Sequence, residues 1–479
     1  IIRYDYHFNE DCSELVFSEI VSWINANPIN CGPNYRCSQE ISLRVLNWTF
    51  ALYYYRDSIF LTEDIFNKIQ FAIYGQMNHI YKNINFSRIA VRNNHAITET
   101  LTLYLMGLLY PQFPGAKKWK QQGKAWFEEE IAYQVYGDGT FLQFSMNYHR
   151  VVVQLLTWAI VLSEKNDESF SHVVYERAGK SVEFLRTCMV DENGKLPNYG
   201  ANDGALFFKL NDQDYRDYRP SLNALANALK IDLLFSFDAE DTRWYGLKNN
   251  NFKTWKPSLG IHSFNTGGYY IFRETDTLTF IRCGNHKDRP SQADNLHLDV
   301  WYKGENILLD AGSYKYNTNE EDIKYFMGTA SHNTVMLDDY DQMRKGSRFI
   351  WYNWSQKKNV YYNETAEQYF FIGSVYAFSY VAKDIVHQRE IIKSKRTPKW
   401  IIKDTIFHKP GSISMKQLWH LPLQHLSVLW KSVTKNQEQI NQQNARGNVS
   451  EFYGKKEPCE MIIFQTVNDE ISTEFEIRN

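Results

Sequence analysis

The sequence predicts an all-α domain followed by an antiparallel β domain, because its apolar pattern changes near residue 260. In the first half, apolar residues recur every three or four positions. From about Gly260 they alternate with a period of two, in short segments that end at turn residues. The segment between the halves holds Gly246, Pro257 and a run of three asparagines, which indicates a linker. We therefore expect a helical domain over 1–237, a linker over 238–259 and a β domain over 260–479.

The first half contains a series of segments with helical spacing, each followed by polar residues, Gly or Pro. They are 13–25, 38–55, 63–81, 95–110, 117–136, 146–163, 172–189 and 221–235. Several are apolar on more than one side, as in VVVQLLTWAIVL within 146–163. Helices of that kind pack in layers rather than in a single solvated bundle. The series favours an α/α barrel or toroid.

The second half consists of short segments rich in β-branched and aromatic residues. They include GGYYIFRE, TLTFIRCG, HLDVWYKG, NILLDAG, NTVMLDD, WIIKDTIF and MIIFQTV. Alternation along the third of these puts His297, Asp299 and Trp301 on one face of a strand. We expect an antiparallel β-sandwich in which this partly polar face borders a cleft.

The bulk composition excludes some classes of protein. The 53 basic and 55 acidic residues give a net charge of −2, so nothing in the charge balance points to nucleic acid. No apolar run reaches the roughly 18 residues that a membrane-spanning helix needs, so we expect no insertion into a membrane. The six cysteines are irregularly spaced, which indicates neither a zinc knuckle nor a disulfide framework. An acidic ligand would therefore have to be held by local cations.

Two polar clusters begin predicted helices and can carry chemistry. The first, followed by Glu99, has an alternative interpretation as a helix cap, because Asn often caps helices. The second holds a tyrosine that can equally pack in a core with its hydroxyl bonded to a neighbour. The two clusters are Arg92, Asn93, Asn94 and His95, and then Asn147, Tyr148, His149 and Arg150.

Two further clusters lie later in the chain. Asn202 and Arg219 belong to Gly-containing polar turns, which usually only connect helices, although an arginine there can grip a carboxylate. The β domain brings several His, Asp and Gln residues that can meet at strand ends. Without compact ligand spacing they are a weak metal signal, and structural histidines are an equal alternative. These residues are His286, Arg289, Gln292, Asp294, His297, Asp310 and His332.

The combination of blocks resembles the heparinase II/III family of polysaccharide lyases. NNHAITETLTLYLMGLLYP and FSMNYHRVVVQLL are similar to its helical domain. YRCSQEISLRVLNW, LPNYGANDGALF, DYRDYRPSL, RPSQADNLHLDVWYKGENILLDAGSYKYN and TASHNTVMLDDYDQM are similar to blocks that occur in the same order in the family. The resemblance implies an incomplete (α/α) toroid joined to an antiparallel β-sandwich. It also implies β-elimination at a uronic acid, with proton removal at C5 and cleavage of the C4–O bond.

Residue roles follow from the matching motifs. The resemblance implies that Asn94 neutralises the uronate carboxylate, that His95 is its catalytic neighbour, and that Tyr148 acts as base or acid. The family's further histidine precedes the block written here as RPSQADN, where this chain has Arg289 and Pro290. His286 and His297 are the nearby substitutes, and we take His297 as the catalytic partner. Expected substrate contacts are Arg92, Asn93, Glu99, His149, Arg150, Asn202, Arg219, His286 and Arg289.

The resemblance further implies one divalent metal in the β domain, and no organic cofactor is expected. Asp310 and His332 match two of the family's ligands, and Gln292 takes the third position. A glutamine oxygen is a poor ligand for zinc but suits a harder cation such as calcium. The expected location is periplasmic or secreted, in a bacterium.

Two other functions stay open at this point. A glycoside hydrolase would use two carboxylates, for which Glu99, Asp138, Asp203 and Asp217 are candidates. A non-catalytic protein that binds acidic glycans or supports polysaccharide assembly would need no proton-transfer groups. Formation of a conjugated double bond in the product distinguishes a lyase from both.

Overall fold

The computed structural model describes residues 1–237, 239–248, 252–288, 290–424 and 426–478. Its helical part is followed by an antiparallel β part, as predicted. The helices are α1 Ile2–Phe8, α2 Ser13–Ala26, α3 Ser38–Tyr54, α4 Glu63–Asn85, α5 Asn94–Leu109, α6 Ala116–Gln134, α7 Met146–Glu164, α8 His172–Cys188, α9 Arg219–Ala228, α10 Glu240–Trp244 and α11 Glu320–Met327, with a π-helix at Phe86–Val91. No helix of the described ranges combines the length and apolar character needed to cross a membrane.

The strands form three larger antiparallel sheets and two short pairs among the described residues. The sheets have the orders β3-β4-β5-β6-β7, β11-β12-β13-β14-β19-β16 and β17-β18-β15-β8. The strands are β1 Ile231–Asp232, β2 Lys253–Thr254, β3 Gly260–Phe264, β4 Tyr269–Arg273, β5 Thr277–Arg282, β6 Leu298–Tyr302, β7 Glu305–Leu308, β8 Val335–Leu337, β9 Arg344–Lys345, β10 Trp351–Tyr352, β11 Gln356–Glu364, β12 Gln368–Tyr376, β13 Val386–Ser394, β14 Lys399–Phe407, β15 Met415–Leu421, β16 Ser427–Thr434, β17 Gln443–Phe452, β18 Lys455–Thr466 and β19 Glu470–Arg478.

The predicted helices of the first half are present with small shifts at their ends, except for the last. The helix expected over 221–235 is α9, which ends at Ala228. Lys230 follows with a positive φ of 61°, and Ile231 pairs with Lys253 in a parallel pair of strands. The chain therefore leaves the helix early, and the segment predicted as a linker contains α10 and β2. Helix α1 and the insertion α11 were not predicted.

The five-stranded sheet β3 to β7 lies between two apolar cores. Every residue of β4, β5 and β6 is buried, so both faces of the sheet centre are covered. Tyr269 and Ile271 of β4 pack into the core of the helices, whereas Tyr270 and Phe272 pack into the core of the other sheets. Strand alternation thus sends successive residues into opposite cores. This sheet fixes where the helical part meets the β part.

Polar contacts reinforce the boundary between the two parts. The Arg273 guanidinium at the end of β4 donates to the backbone oxygens of Thr187 and Met189, at 3.0 and 2.8 Å. The Asp138 carboxylate accepts from the backbone N–H groups of Thr266 and Gly267, at 2.7 and 3.0 Å. Both contacts supply hydrogen bonds to backbone carbonyl or N–H groups that have no partner within a helix end or a turn.

Candidate active site at the domain boundary

The first turn of α5 presents the side-chain oxygen of Asn94, which has no hydrogen-bond partner among the described residues. Asn93 caps the helix, because its side-chain oxygen accepts from the backbone N–H of His95 at 3.0 Å. Asn94 is 2% exposed, and its Oδ1 has no hydrogen-bond partner among the described residues. Leaving a buried polar group unpaired costs about 1–3 kcal/mol, and a ligand that donates a hydrogen bond to this oxygen would recover that free energy. The helix-cap interpretation therefore applies to Asn93, and Asn94 is available to a ligand.

Two cations lie beside this helix start. Arg92 follows the π-helix with a positive φ of 46°, and its guanidinium lies 3.3 Å from the centre of the Tyr133 ring. The ammonium of Lys287, from the β part, lies over the same ring at 3.3 Å. Burial and the charge of Arg92 lower the pKa of Lys287, although the neighbouring Asp288 opposes this. The Glu130 Oε2 lies 3.7 Å from the Arg92 Nε, so an anionic ligand near Asn94 would share the Arg92 charge with this carboxylate.

Tyr148 lies in the first turn of α7, and its hydroxyl contacts the β part. The Ser145 side chain caps this helix by accepting from the backbone N–H of Tyr148 at 3.1 Å. Tyr148 is 8% exposed, and its Oη lies 2.7 Å from the Oη of Tyr316, in the segment after β7. The two phenol groups share a hydrogen bond across the domain boundary. This contact brings a predicted proton carrier of the helical part against a residue of the β part.

The surroundings of Tyr148 keep its hydroxyl protonated. Burial raises the pKa of Tyr148 well above its usual value near 10, and Tyr316 and the Asp203 carboxylate raise it further. Phenolate is therefore disfavoured at neutral pH in the free protein. A phenol in this state can donate a proton directly, whereas it would need help to accept one.

Two histidines approach the same region. His95 is half-buried, and its Nδ1 lies 3.8 Å from the Cys37 Sγ. His286 is 6% exposed, and neither of its ring nitrogens has a hydrogen-bond partner among the described residues. Its ring meets Phe144, four residues before Tyr148, edge-on with centroids 5.3 Å apart. Burial, assisted by the Arg282 charge, lowers the pKa of His286 well below its usual value, so the ring is neutral and able to accept a proton.

His297 lies elsewhere, in a fully buried group with Asp310 and His332. Their ligand atoms lie within 4.8 Å of one another, so the group is able to hold a metal ion. The Asp310 Oδ2 lies 2.9 Å from the His332 Nδ1 and 3.4 Å from the His297 Nε2. Burial disfavours charge on His332, but the Asp310 carboxylate outweighs it and raises the His332 pKa. The 0% exposure of His297 does not support the catalytic role expected for it.

The hydrogen bonds around this group determine which of its side-chain atoms lack partners. The His297 Nδ1 accepts from the backbone N–H of Asn333 at 3.0 Å, so a neutral His297 carries its proton on Nε2 and has no free lone pair there. The Nε2 of Gln292 donates to two backbone oxygens at 3.0 Å each, which leaves its Oε1 without a partner. The Nε2 of His332 also has none among the described residues. Asp310 and His332 of the predicted ligand set therefore lie in the group that is able to hold a metal ion, and the part expected of Gln292 stays a prediction.

Two residues expected to touch substrate are buried in the helical core. His149 is 1% exposed, and its Nε2 lies 3.0 Å from the Ser181 Oγ. Arg150 is 2% exposed, and its guanidinium lies over the rings of Tyr215 and Tyr218 at 4.3 and 4.4 Å. Successive helical positions point about 100° apart, so these side chains diverge from Tyr148. Neither is positioned to contact a polysaccharide.

The remaining expected contacts are occupied by internal partners, and Arg289 lies outside the described residues. Glu99 accepts from the Ser87 hydroxyl at 2.6 Å, and burial raises its pKa to about 8. Asn202 is 5% exposed and accepts from a tyrosine hydroxyl at 2.8 Å. Arg219 is paired with Asp217 at 2.7 Å. Of the expected contacts, Arg92, Asn93 and His286 are the ones that lie near Asn94 or Tyr148.

The carboxylates named for a hydrolase do not form a free pair. Glu99 is buried against Ser87, Asp138 accepts backbone N–H groups, and Asp217 is held by Arg219. Asp203 alone of these four lies beside Tyr148. This arrangement gives no support to a two-carboxylate mechanism.

Tyr316 is a residue of this site that no sequence pattern singled out. Its sequence signal is its place in SYKYN, shortly after Asp310 in a block that already resembled the family. Its contact with Tyr148 joins residues 168 positions apart, so no local pattern could reveal it.

The fold and this site define a class of two-domain protein, in which a helical toroid and an antiparallel β-sandwich meet at a boundary that holds Tyr148 and Tyr316. Two family models match the chain: Heparinase II/III N-terminus over residues 10–207, and Heparinase II/III-like, C-terminal, over residues 256–477. The chain belongs to the heparinase II/III family. The fold class expected from the resemblance is thereby confirmed.

Known proteins are similar to the chain at low identity. The heparin-sulfate lyase of Bacteroides thetaiotaomicron is 24% identical over 349 residues, which cover 66% of this chain and 46% of that protein. The heparin-sulfate lyase of Bacteroides stercoris is 22% identical over 369 residues, covering 74% and 48%. The chain thus spans less than half the length of these relatives.

Solved structures share the fold. A heparinase III structure has a TM-score of 0.73 at 16% identity, covering 99% of this chain and 76% of its own. The heparan sulfate lyase of Pedobacter heparinus has a TM-score of 0.65 at 16% identity, covering 98% and 74%. The chondroitin AC lyase of Streptomyces coelicolor A3, solved with chondroitin sulphate, has a TM-score of 0.56 at 9% identity, covering 91% and 66%.

Proposed function

We propose that this chain is a polysaccharide lyase that cleaves a uronic-acid-containing acidic glycan by β-elimination. Two observations carry the proposal: the buried Asn94 has an Oδ1 without a partner among the described residues, and Tyr148 is held protonated at the domain boundary. The relatives named as heparin-sulfate lyases support a sulfated, uronate-containing glycosaminoglycan as substrate. A substrate of that kind supports a location in the periplasm or outside a bacterial cell.

The first requirement of the reaction is to make the C5 proton acidic. Removing it places negative charge on the uronate carboxylate, so donors must already face that group. The Asn94 amide supplies a donor at the start of α5, where the helix dipole also favours an anion. Arg92 and Lys287 add positive charge beside it. A sugar hydroxyl beside the carboxylate would donate to the Asn94 Oδ1, which has no partner among the described residues.

The second requirement is a pair of proton-transfer groups. A neutral histidine takes the C5 proton, the electron pair forms the C4–C5 double bond, and the C4–O bond breaks. The leaving oxygen then takes a proton from Tyr148, whose surroundings keep it protonated. The histidinium later releases its proton to solvent and Tyr148 recovers one, so no water is consumed.

We assign the base to His286. Its ring is neutral, both of its nitrogens lack partners, and it packs on Phe144 in the segment that leads into α7. A uronate carboxylate brought into the cleft would raise its low pKa and make it a stronger base. His95, next to Asn94, remains a residue that assists binding.

The test is a panel of heparan sulfate, chondroitin sulfate, hyaluronan and alginate, followed by ultraviolet absorbance of the unsaturated product. We expect absorbance to rise with at least one glycan. Tyr148→Phe should lower the rate about 100- to 10,000-fold, the usual worth of general acid catalysis. Cleavage without new absorbance would favour a hydrolase, and binding without cleavage would favour a non-catalytic glycan-binding protein; either result would overturn the proposal.

A further inference from the structure

Tyr316 is fixed in place as firmly as the residue it contacts. Its backbone N–H donates to the Tyr453 hydroxyl at 3.4 Å, and its ring packs edge-on against Phe349 and Tyr453, with centroids 5.2 and 5.9 Å apart. Rings held on two sides have little rotational freedom. The 2.7 Å contact between the Tyr148 and Tyr316 hydroxyls is therefore a set geometry.

Asp203 supplies the negative charge beside this pair. It is half-buried in the turn before Ala205, whose backbone N–H donates to its Oδ1 at 3.0 Å. That bond orients the carboxylate. Burial and Asp203 both raise the pKa of Tyr316, as they do for Tyr148, and Tyr215 and Tyr453 act on Tyr316 in the same direction. Charge on either phenol is thus disfavoured by an acidic neighbour that itself reaches towards solvent.

We propose that Tyr316 and Asp203 form, with Tyr148, a proton relay that reloads Tyr148 after each turnover. The inference rests on the proposed function. When Tyr148 has given its proton to the leaving oxygen, its phenolate takes the proton of the Tyr316 hydroxyl across their shared hydrogen bond. Tyr316 then takes a proton from solvent, and the Asp203 charge drives both phenols back to the neutral form.

The relay makes Tyr316 a positioning residue contributed by the β part to a donor on the helical part. Tyr148 is 8% exposed, so direct contact with solvent is restricted, whereas Tyr316, whose hydroxyl it contacts, is only partly buried. Reloading therefore depends on the two parts being docked. The helical part alone would not complete repeated catalytic cycles, even though it contains both Asn94 and Tyr148.

The test compares Tyr316→Phe with Tyr314→Phe in the full chain. The control removes a hydroxyl from the same segment, two residues away, that makes no contact with Tyr148. We expect Tyr316→Phe to lower kcat about 10- to 100-fold with little change in KM, a part of what general acid catalysis supplies. A small weak acid such as imidazolium, added as an imidazole buffer, should restore the kcat of Tyr316→Phe in proportion to its concentration. Asp203→Asn should alter the pH profile of kcat.

The outcomes separate this inference from the proposed function. Equal kcat for Tyr316→Phe and Tyr314→Phe, in a protein that Tyr148→Phe inactivates, would overturn the relay and leave the lyase assignment standing. Retained activity in Tyr148→Phe would overturn the proposed mechanism itself. A double-variant cycle of Tyr148→Phe and Tyr316→Phe on the urea midpoint needs no substrate, and strictly additive losses would remove the contact on which the relay depends.

Discussion

Replacing His149 by phenylalanine should make the protein less sensitive to acid. Burial lowers the pKa of His149 from 6.5 to about 3, so the folded protein keeps this ring neutral while the unfolded chain protonates it. As pH falls below the unfolded value, only the unfolded state gains the proton, and the free energy of unfolding decreases. With about 1.36 kcal/mol for each pH unit, the loss from this residue between pH 6.5 and about pH 5 is about 2 kcal/mol.

The assay is urea unfolding at several pH values through that window, for the wild type and His149→Phe. Phenylalanine keeps the packing against Phe184, with which His149 now stacks at 5.7 Å between centroids, and it cannot titrate. We expect the variant to lose about 2 kcal/mol less than the wild type between the two pH values. His172→Gln, which removes a histidine at an exposed position on α8, serves as the control. Parallel curves for wild type and His149→Phe would refute the reasoning.

Two further perturbations test the site. Asn94→Ala should lower kcat/KM about 100- to 1000-fold, the usual cost of one preorganised donor. The urea midpoint should not fall, because the Asn94 Oδ1 makes no hydrogen bond among the described residues that the substitution could break. An activity close to wild type would contradict the role of Asn94 in binding the carboxylate. A chelator should lower the urea midpoint of the wild type and spare His332→Gln, because a metal held by Asp310 and His332 binds only the folded state. An unchanged midpoint, with no metal found by elemental analysis, would refute that site.

Sequence periodicity predicted most of the helices because each depends on contacts between residues three or four positions apart. Helix α7 is an example: its apolar run is buried on all sides, and that is what made it recognisable. The end of α9 could not be predicted, because it is set by the pairing of Ile231 with Lys253, more than twenty positions away. Short elements such as α1 lack enough turns for a periodic signal.

The candidate site divides in the same way. Asn94 and Tyr148 belong to motifs that can be found in the linear sequence. Only the structure shows that Asn93, and not Asn94, caps helix α5. His149 and Arg150 follow Tyr148 directly, yet helix geometry turns them into the core. The closeness of His286 to Phe144 and of Tyr316 to Tyr148 arises from docking of the two parts, which no local pattern encodes.

The sheet β3 to β7 has a consequence for how this chain can be divided. Tyr269 and Ile271 belong to the helical core, while the alternate residues of the same strand belong to the β core. One sheet therefore contributes side chains to both cores. Separating the halves by cutting the linker would expose an aromatic, apolar surface on the β fragment, which favours aggregation. The chain should therefore behave as one cooperative folding unit, and a fragment that begins at residue 260 is a poor choice for expression on its own.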